Sequence, residues 1–200
     1  MDGLPLARHA GPIAIVAGAL LVLTDLARLV SGRAVADFAS DPLTIAANAG
    51  YAVALVVLAV ALVALYLRDA AALSTLGFVA ALVGVVFFGG NMWFDGFAAP
   101  WLATVAPGIF ALERTGALVV GALASYVLFG LGWVLWGAAL LRARVHPWPF
   151  GAAFVVSGVL GLAAGAAPFG APLGLTVAAL GLWLSRPRSP ATTPPAARAR

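Results

Sequence analysis

Hydrophobic positions in this sequence run in long blocks rather than alternating with polar ones. A helix needs about 20 mostly apolar residues to cross a hydrocarbon core about 30 Å thick. Six blocks approach that length, and they predict helices over residues 12–30, 43–67, 72–94, 115–141, 148–167 and 171–185. An open strand would leave its backbone amides unsatisfied in lipid. We therefore expect an all-α, six-helix transmembrane bundle as a single domain over residues 1–185.

Prolines and a capping acid predict where these helices begin and end. Asp41 followed by Pro42 places an N-cap acid before a proline at the first helical position. The run Ala-Pro-Phe-Gly-Ala-Pro at 167–172 interrupts the last apolar block. Because proline disfavours helix in the residue before it, this run predicts a tight hairpin between the fifth and sixth helices.

The composition agrees with a membrane protein and excludes several other classes. Hydrophobic residues make up 64% of the 200 positions and charged residues 9%, whereas soluble domains carry about 25% charged residues. There is no cysteine, and all 11 basic residues are arginine. Because the arginines are scattered at helix ends and in the tail, we expect no nucleic-acid partner. We expect them to contact the lipid bilayer, in particular anionic headgroups on the cytoplasmic side.

The arginines also predict an orientation. If the N-terminus is cytoplasmic, eight arginines lie on the cytoplasmic side and three on the outer side. The cytoplasmic set is Arg8, Arg68, Arg142, Arg144, Arg186, Arg188, Arg198 and Arg200, and the outer set is Arg28, Arg33 and Arg114. Since arginine concentrates in cytoplasmic segments, we expect a multi-pass cell (inner) membrane protein with both termini in the cytoplasm.

Both ends of the chain carry a further expectation. Arg8, a short apolar run and Ala34-Val35-Ala36 before Asp37 are also typical of a cleaved signal peptide. The apolar run is long enough to span, so we favour an uncleaved first helix; cleavage of residues 1–36 would leave five helices. Residues 186–200 are rich in Pro, Ala, Thr and Arg, which predicts a disordered basic cytoplasmic tail.

Polar residues gather in the half of the predicted bundle that faces outward. The candidate site comprises Asp25, Arg28, Asn48, Asn91, Asp95, Glu113 and Arg114. Charges in a bilayer are costly and tend to face the bundle interior. In one interpretation Asp25, Asn48, Asn91 and Asp95 line an outward-open cavity for a cation, a proton or a small solute. In the other, which we favour, Asp25 and Arg28 pair at i,i+3, Arg28 extends outward, and the rest are boundary residues.

The connection between the third and fourth helices, Gly96 to Leu112, is apolar but interrupted by proline. It is too short to cross, so we expect an interfacial or re-entrant segment lying over the polar cluster. Its candidate lid or docking residues are Phe97, Pro100, Trp101 and Pro107. The alternative is a loop that only rests on headgroups.

The run Gly89-Gly90-Asn91-Met92-Trp93-Phe94-Asp95, followed by Ala99-Pro100-Trp101-Leu102-Ala103, resembles a segment of small polytopic membrane proteins of high-GC bacteria. The resemblance covers this segment and the general helix layout. Those proteins are uncharacterised, so the resemblance implies a polytopic membrane fold and no particular function.

Small residues recur at every fourth position in the last two helices. They are Ala153, Ser157, Gly161 and Gly165 in the fifth, and Gly170, Gly174 and Ala178 in the sixth. Spacing of four keeps them on one face, where another helix can approach closely. The face serves either a homodimer or, as we favour, an internal seam between these two helices.

No catalytic motif is present. A membrane serine protease needs a His or Lys base, but the chain has no lysine, and His9 and His146 lie at predicted boundaries. No set of His, Cys and carboxylates predicts a metal or haem site, and we expect no cofactor. We therefore expect a non-enzymatic structural or accessory membrane component, with a membrane-protein partner or a second copy as its partner. The alternative is a small transporter or channel-like protein.

Overall fold

The computed structural model describes residues 5–113 and 116–187, which form helices and short connections with no strand among them. The helices are α1 (Pro5–Arg8), α2 (Ala10–Val30), α3 (Val35–Ser40), α4 (Pro42–Asp69), α5 (Thr75–Trp93), α6 (Ala99–Val105), α7 (Ala117–Ala143), α8 (Trp148–Gly161) and α9 (Ala171–Leu184). A π-helical turn, Phe94–Ala98, joins α5 to α6, and a 3-10 turn, Pro107–Ala111, follows α6. The expected all-α class is confirmed for this part of the chain.

Four helical segments within the described ranges are long and apolar enough to cross a membrane. They are Ala10–Val30, Pro42–Asp69, Thr75–Val105 and Ala117–Ala143. Helices α8 and α9 are apolar too but have 14 residues each, about 21 Å at a rise of 1.5 Å per residue. The predicted fifth helix, 148–167, is therefore too long, because residues 162–170 form turns. The predicted sixth helix, 171–185, agrees with α9 to within one residue.

The third long segment continues where the sequence predicted a separate connection. Helix α5 passes through the π turn into α6, and the N–H of Ala99 bonds to the carbonyl of Phe94, five residues earlier. Pro100 has no N–H to continue the ordinary bonding pattern. The expectation of a distinct segment from Gly96 to Leu112 is thus corrected: its first half extends the third helix.

The helix α4 begins at Pro42 with Asp41 as its N-cap, as the Asp41-Pro42 pair predicts. The Asp41 carboxylate accepts the backbone N–H groups of Leu43 at 3.2 Å and Thr44 at 3.0 Å, and the Thr44 hydroxyl at 2.6 Å. The hydroxyl of Thr44, and then its N–H, lower the pKa of Asp41 below its usual 3.8.

The helices pack in an order that differs from the chain order. Helix α2 contacts both α4 and α9, α4 also contacts α5, and α7 lies between α5 and α8. Large aromatic side chains fill the interior, among them Tyr51, Phe88, Phe129, Trp133 and Trp136. We call the end of the bundle that holds residues 31–42, 94–113 and 162–170 the loop end, and the opposite one the terminal end.

Candidate functional site

Asp25 lies on α2 near the loop end and is completely buried. Its Oδ2 accepts two backbone N–H groups, from Gly170 at 2.9 Å and Ala171 at 2.8 Å. These two residues begin α9, whose own N-cap position is Gly170 and supplies no side-chain cap. The first N–H groups of a helix have no partner within it and carry partial positive charge. The carboxylate of α2 therefore caps α9.

Arg28 lies one turn further along α2, and its guanidinium binds three different parts of the chain. Nη1 donates to Oδ1 of Asp25 at 3.4 Å, Nε donates to Oδ1 of Asn48 at 3.1 Å, and Nη2 donates to the carbonyl of Gly165 at 2.8 Å. The expected i,i+3 pair of Asp25 and Arg28 is present. Arg28 does not extend outward as expected, because it is only 7% exposed.

Helix α4 supplies the other wall around the guanidinium. Its Asn48 is held in place by donating from Nδ2 to the carbonyl of Thr44 at 2.8 Å. The ring of Tyr51, one turn on, lies under Arg28 with 4.4 Å between the ring centroid and Cζ. A cation over an aromatic face is attracted by the quadrupole of the ring, whose face is partially negative. The Tyr51 hydroxyl also donates to the carbonyl of Ala164 at 3.4 Å.

These groups form one unit that we call the Arg28 network: Asp25, Arg28, Asn48, Tyr51 and the backbone of residues 164–171. It joins α2, α4 and the turns before α9. Sequence reasoning included Asp25, Arg28 and Asn48 but missed Tyr51 and the backbone groups. Tyr51 follows Asn48 by three positions, a spacing that places both on one face of a helix.

The other predicted polar residues do not all belong to this network. Asn91 on α5 donates from Nδ2 to the hydroxyl of Ser125 on α7, at 3.2 Å. Glu113 is exposed, and Arg114 lies outside the described residues. The seven candidates therefore do not form one cluster, since Asn91 belongs to the contact of α5 with α7.

A polar cavity of about 280 Å³ opens beside the Arg28 network at the loop end. Its lining includes Arg28, Arg33, Asn48, Asp95 and Tyr126. Two residues of the predicted cavity wall, Asn48 and Asp95, do line it. The other two, Asp25 and Asn91, do not, because Asp25 is turned toward α9 and Asn91 toward α7. Arg33 and Tyr126 were missed.

The apolar residues of the 94–113 segment differ in exposure. Trp101 is 64% exposed and Phe97 44% exposed, whereas Ala99 and Ala103 on the same segment are buried. Pro100 is half-buried and Pro107 is exposed. Helix α6 packs against α3. The segment therefore presents an aromatic outer face at the loop end.

The small residues of α9 pack against α2 rather than α8. A Cβ placed on Gly174 would meet the carbonyl of Gly18 at 2.8 Å, and one placed on Gly18 would meet the backbone N of Ala178 at 2.5 Å. The seam expected between the last two helices is thus corrected: the turns at 162–170 carry α9 across to α2, which is its main neighbour.

Helix α8 packs chiefly against α7. A Cβ on Gly161 would meet the ring of Phe129 at 3.3 Å, and one on Gly165 would meet the ring of Tyr126 at 2.5 Å. Ala153 is half-buried. Ser157 provides the polar link to α9, through a hydroxyl contact with Thr176 at 3.2 Å.

Within the described ranges, no three His, Cys, Asp or Glu side chains come together in a way that could hold a metal ion. No protein family, curated protein or solved structure matches this chain.

Proposed function

We propose that this chain is a non-enzymatic structural or accessory component of the cell membrane. In this proposal it crosses the membrane several times with both termini in the cytoplasm, and it acts through helix packing and the aromatic face of the 94–113 segment. The supporting observation is that Asp25 and Arg28, the buried charged residues of the Arg28 network, form their hydrogen bonds with other groups of the same chain.

The chemistry of Asp25 argues for a structural role. A carboxylate that binds a transported ion or moves a proton needs an open path to its oxygens. Asp25 has no exposed surface, and its two oxygens are taken by two backbone N–H groups and by Arg28. Because a charge in the bilayer is costly unless paired, these three hydrogen bonds explain how a buried carboxylate is tolerated there.

The aromatic face is the proposed contact surface for a membrane-protein partner or a second copy. Phe97 and Trp101 are large, exposed and held on a helical segment. To test this, chemical cross-linking in native membranes would compare the wild type with Trp101→Ala and with Trp148→Ala. Trp148 is 73% exposed and lies at the terminal end. Loss of cross-linked species in Trp101→Ala alone supports the proposal, and equal recovery in all three contradicts it.

The alternative is a small transporter or channel-like protein, and the polar cavity of about 280 Å³ favours it. The cavity has room for a cation, a proton relay or a small solute. Under this alternative, Asp25→Asn changes uptake or proton coupling and leaves the amount of folded protein intact. Under the structural proposal the same substitution lowers the melting temperature.

The proposed orientation has its own test. Reporter fusions after Arg142 and at the carboxy end should both report a cytoplasmic location. A fusion that places either on the other side contradicts the orientation derived from the arginines.

A further inference from the structure

A second cavity, of about 440 Å³, lies between α5 and α7 at the loop end. Its wall is mostly apolar and includes Phe87, Phe94, Leu118 and Leu123, with Gly90 and Gly121 in the two helices. Phe87, Leu118 and Leu123 are all exposed. The cavity is therefore a groove open at the side of the bundle, and we call it the α5–α7 groove.

Glycines have two different roles in the contact between α5 and α7: some allow the helices to pack closely, and others leave the groove open. At Gly84 and Gly132 a Cβ would collide with backbone of the opposite helix, at Leu128 and at Ala80, so these glycines allow close packing. Around Gly90 and Gly121, no atom lies within 4 Å of an added Cβ. The missing side chains of Gly90 and Gly121 thus leave open space beside the two helices at the loop end, next to the hydrogen bond that joins Asn91 of α5 to Ser125 of α7.

The α5–α7 groove adjoins the polar cavity. Asp95 and Tyr126 line both. Two arginines, Arg28 and Arg33, also line the polar cavity, together with Asp95. The charge of Arg28 is paired with Asp25, whereas Arg33 is exposed and forms no hydrogen bond or salt bridge with a described residue. An apolar hollow therefore lies next to a polar cavity that presents the exposed guanidinium of Arg33.

We propose that the loop end binds one anionic phospholipid, with its phosphate at Arg33 and one acyl chain in the α5–α7 groove. Charge complementarity selects the headgroup, because arginine matches phosphate geometry and is attracted to anionic lipid. The apolar groove favours an acyl chain, because an acyl chain in a groove makes more van der Waals contacts than one on a flat surface. This site is separate from the contacts expected for the cytoplasmic arginines.

The test measures lipid binding to the full chain in a nonionic detergent. Native mass spectrometry would follow titrations with dioleoyl-phosphatidylglycerol, with dioleoyl-phosphatidylcholine, and with phosphatidylglycerol in the presence of inorganic phosphate. Gly121→Leu fills the groove, and Ala138→Leu adds the same side chain at an exposed position further along α7. Arg33→Gln removes the cation, and Arg142→Gln removes an exposed arginine at the terminal end.

We expect one phosphatidylglycerol to bind more tightly than phosphatidylcholine. Arg33→Gln should weaken the affinity for phosphatidylglycerol about five-fold, the effect of one arginine near an anionic surface. Gly121→Leu should weaken this affinity at least as much. The two controls should retain wild-type affinity. As a second variant, Gly90→Leu fills the same groove from α5, and the melting temperature of each variant is measured to show that it is folded.

Three results would overturn the proposal. In the first, well-folded Gly121→Leu and Gly90→Leu bind phosphatidylglycerol as the wild type does. In the second, inorganic phosphate displaces the lipid, which identifies a soluble anion as the occupant. In the third, filling the groove converts a dimer into a monomer, which identifies a second copy of the chain as the occupant.

Discussion

The carboxylate of Asp25 accepts the backbone N–H of Ala171 at 2.8 Å across 146 positions of sequence. An acid on the first long helix thus caps the last helix, and Arg28 on the next turn binds the carbonyl of Gly165 in the turns before it. One turn of α2 therefore binds both the middle of the 162–170 connection and the start of α9. The position of α9 therefore depends on a buried ion pair as well as on apolar packing.

The first prediction concerns the pairing of Asp25 with Arg28. Asp25→Ala leaves a buried guanidinium without its counter-charge and uncaps α9, so we expect a loss of about 3–5 kcal/mol in the free energy of unfolding. In the double variant Asp25→Ala/Arg28→Met the loss should be smaller than the sum of the two single losses, with a coupling of at least about 1 kcal/mol. Unfolding in detergent, followed by tryptophan fluorescence, measures all four proteins.

Glu113→Ala is the control for that cycle, because Glu113 is an exposed acid at the same end. It should change stability by no more than about 0.5 kcal/mol. Additive losses in the double variant would contradict the pairing and would leave Asp25 and Arg28 as independent contributors.

The second prediction concerns Gly170, which lies against the hydroxyl of Tyr51. A Cβ at position 170 would collide with that hydroxyl and would lie 3.1 Å from Oδ2 of Asp25. We expect Gly170→Ala to cost about 1–3 kcal/mol through overpacking. The cost should fall in the Tyr51→Phe background, since the colliding atom is then absent. Thermal unfolding of the two singles and the double tests this, and an unchanged cost beside Phe would show that the strain has another source.

The sequence was sufficient to predict the helical class and most of the long helices, because these depend on local apolar length and on caps such as Asp41. It also paired Asp25 with Arg28, since i,i+3 neighbours meet on any helix. The direction of Arg28 could not be predicted in this way. Its partners, Asn48 and the carbonyl of Gly165, lie 20 and 137 positions away, and a hydrogen bond to a backbone carbonyl leaves no signal in residue types.

The packing of α9 also could not be predicted fully from the sequence. The spacing of Gly174 and Ala178 predicts a face for close packing but not which helix occupies it. Because the connection at 162–170 is short, α8 was the expected neighbour, yet α9 packs on α2. Asp25 of α2 caps α9, and this contact between residues 146 positions apart leaves no local signal in the sequence.

The third prediction tests that seam. Gly18→Leu would push α9 from α2, because even a Cβ at this position would lie 2.5 Å from the backbone N of Ala178. We expect a loss of about 1–3 kcal/mol or unfolding. Ala19→Leu is the matched control, since Ala19 is the next residue and is exposed. Equal melting temperatures for the two variants would mean that α2 and α9 are not tightly packed.

The fourth prediction concerns pH and the start of α4. Thr44 holds the pKa of Asp41 below its usual 3.8, so the folded protein keeps this carboxylate ionised more readily than the unfolded chain does. The stabilisation from Asp41 is then fully present above pH 3.8 and is lost as the pH falls through the lowered value in the folded state. Asp41→Ala should melt at a lower temperature than the wild type at pH 7, and the difference should shrink as the pH falls below 3.8.

Asp37→Ala is a useful comparison, because the carboxylate of Asp37 accepts the N–H of Ala34 at 2.7 Å but caps the short helix α3 instead. A difference between wild type and Asp41→Ala that stays constant from pH 7 to pH 3 would show that the cap acts without its charge.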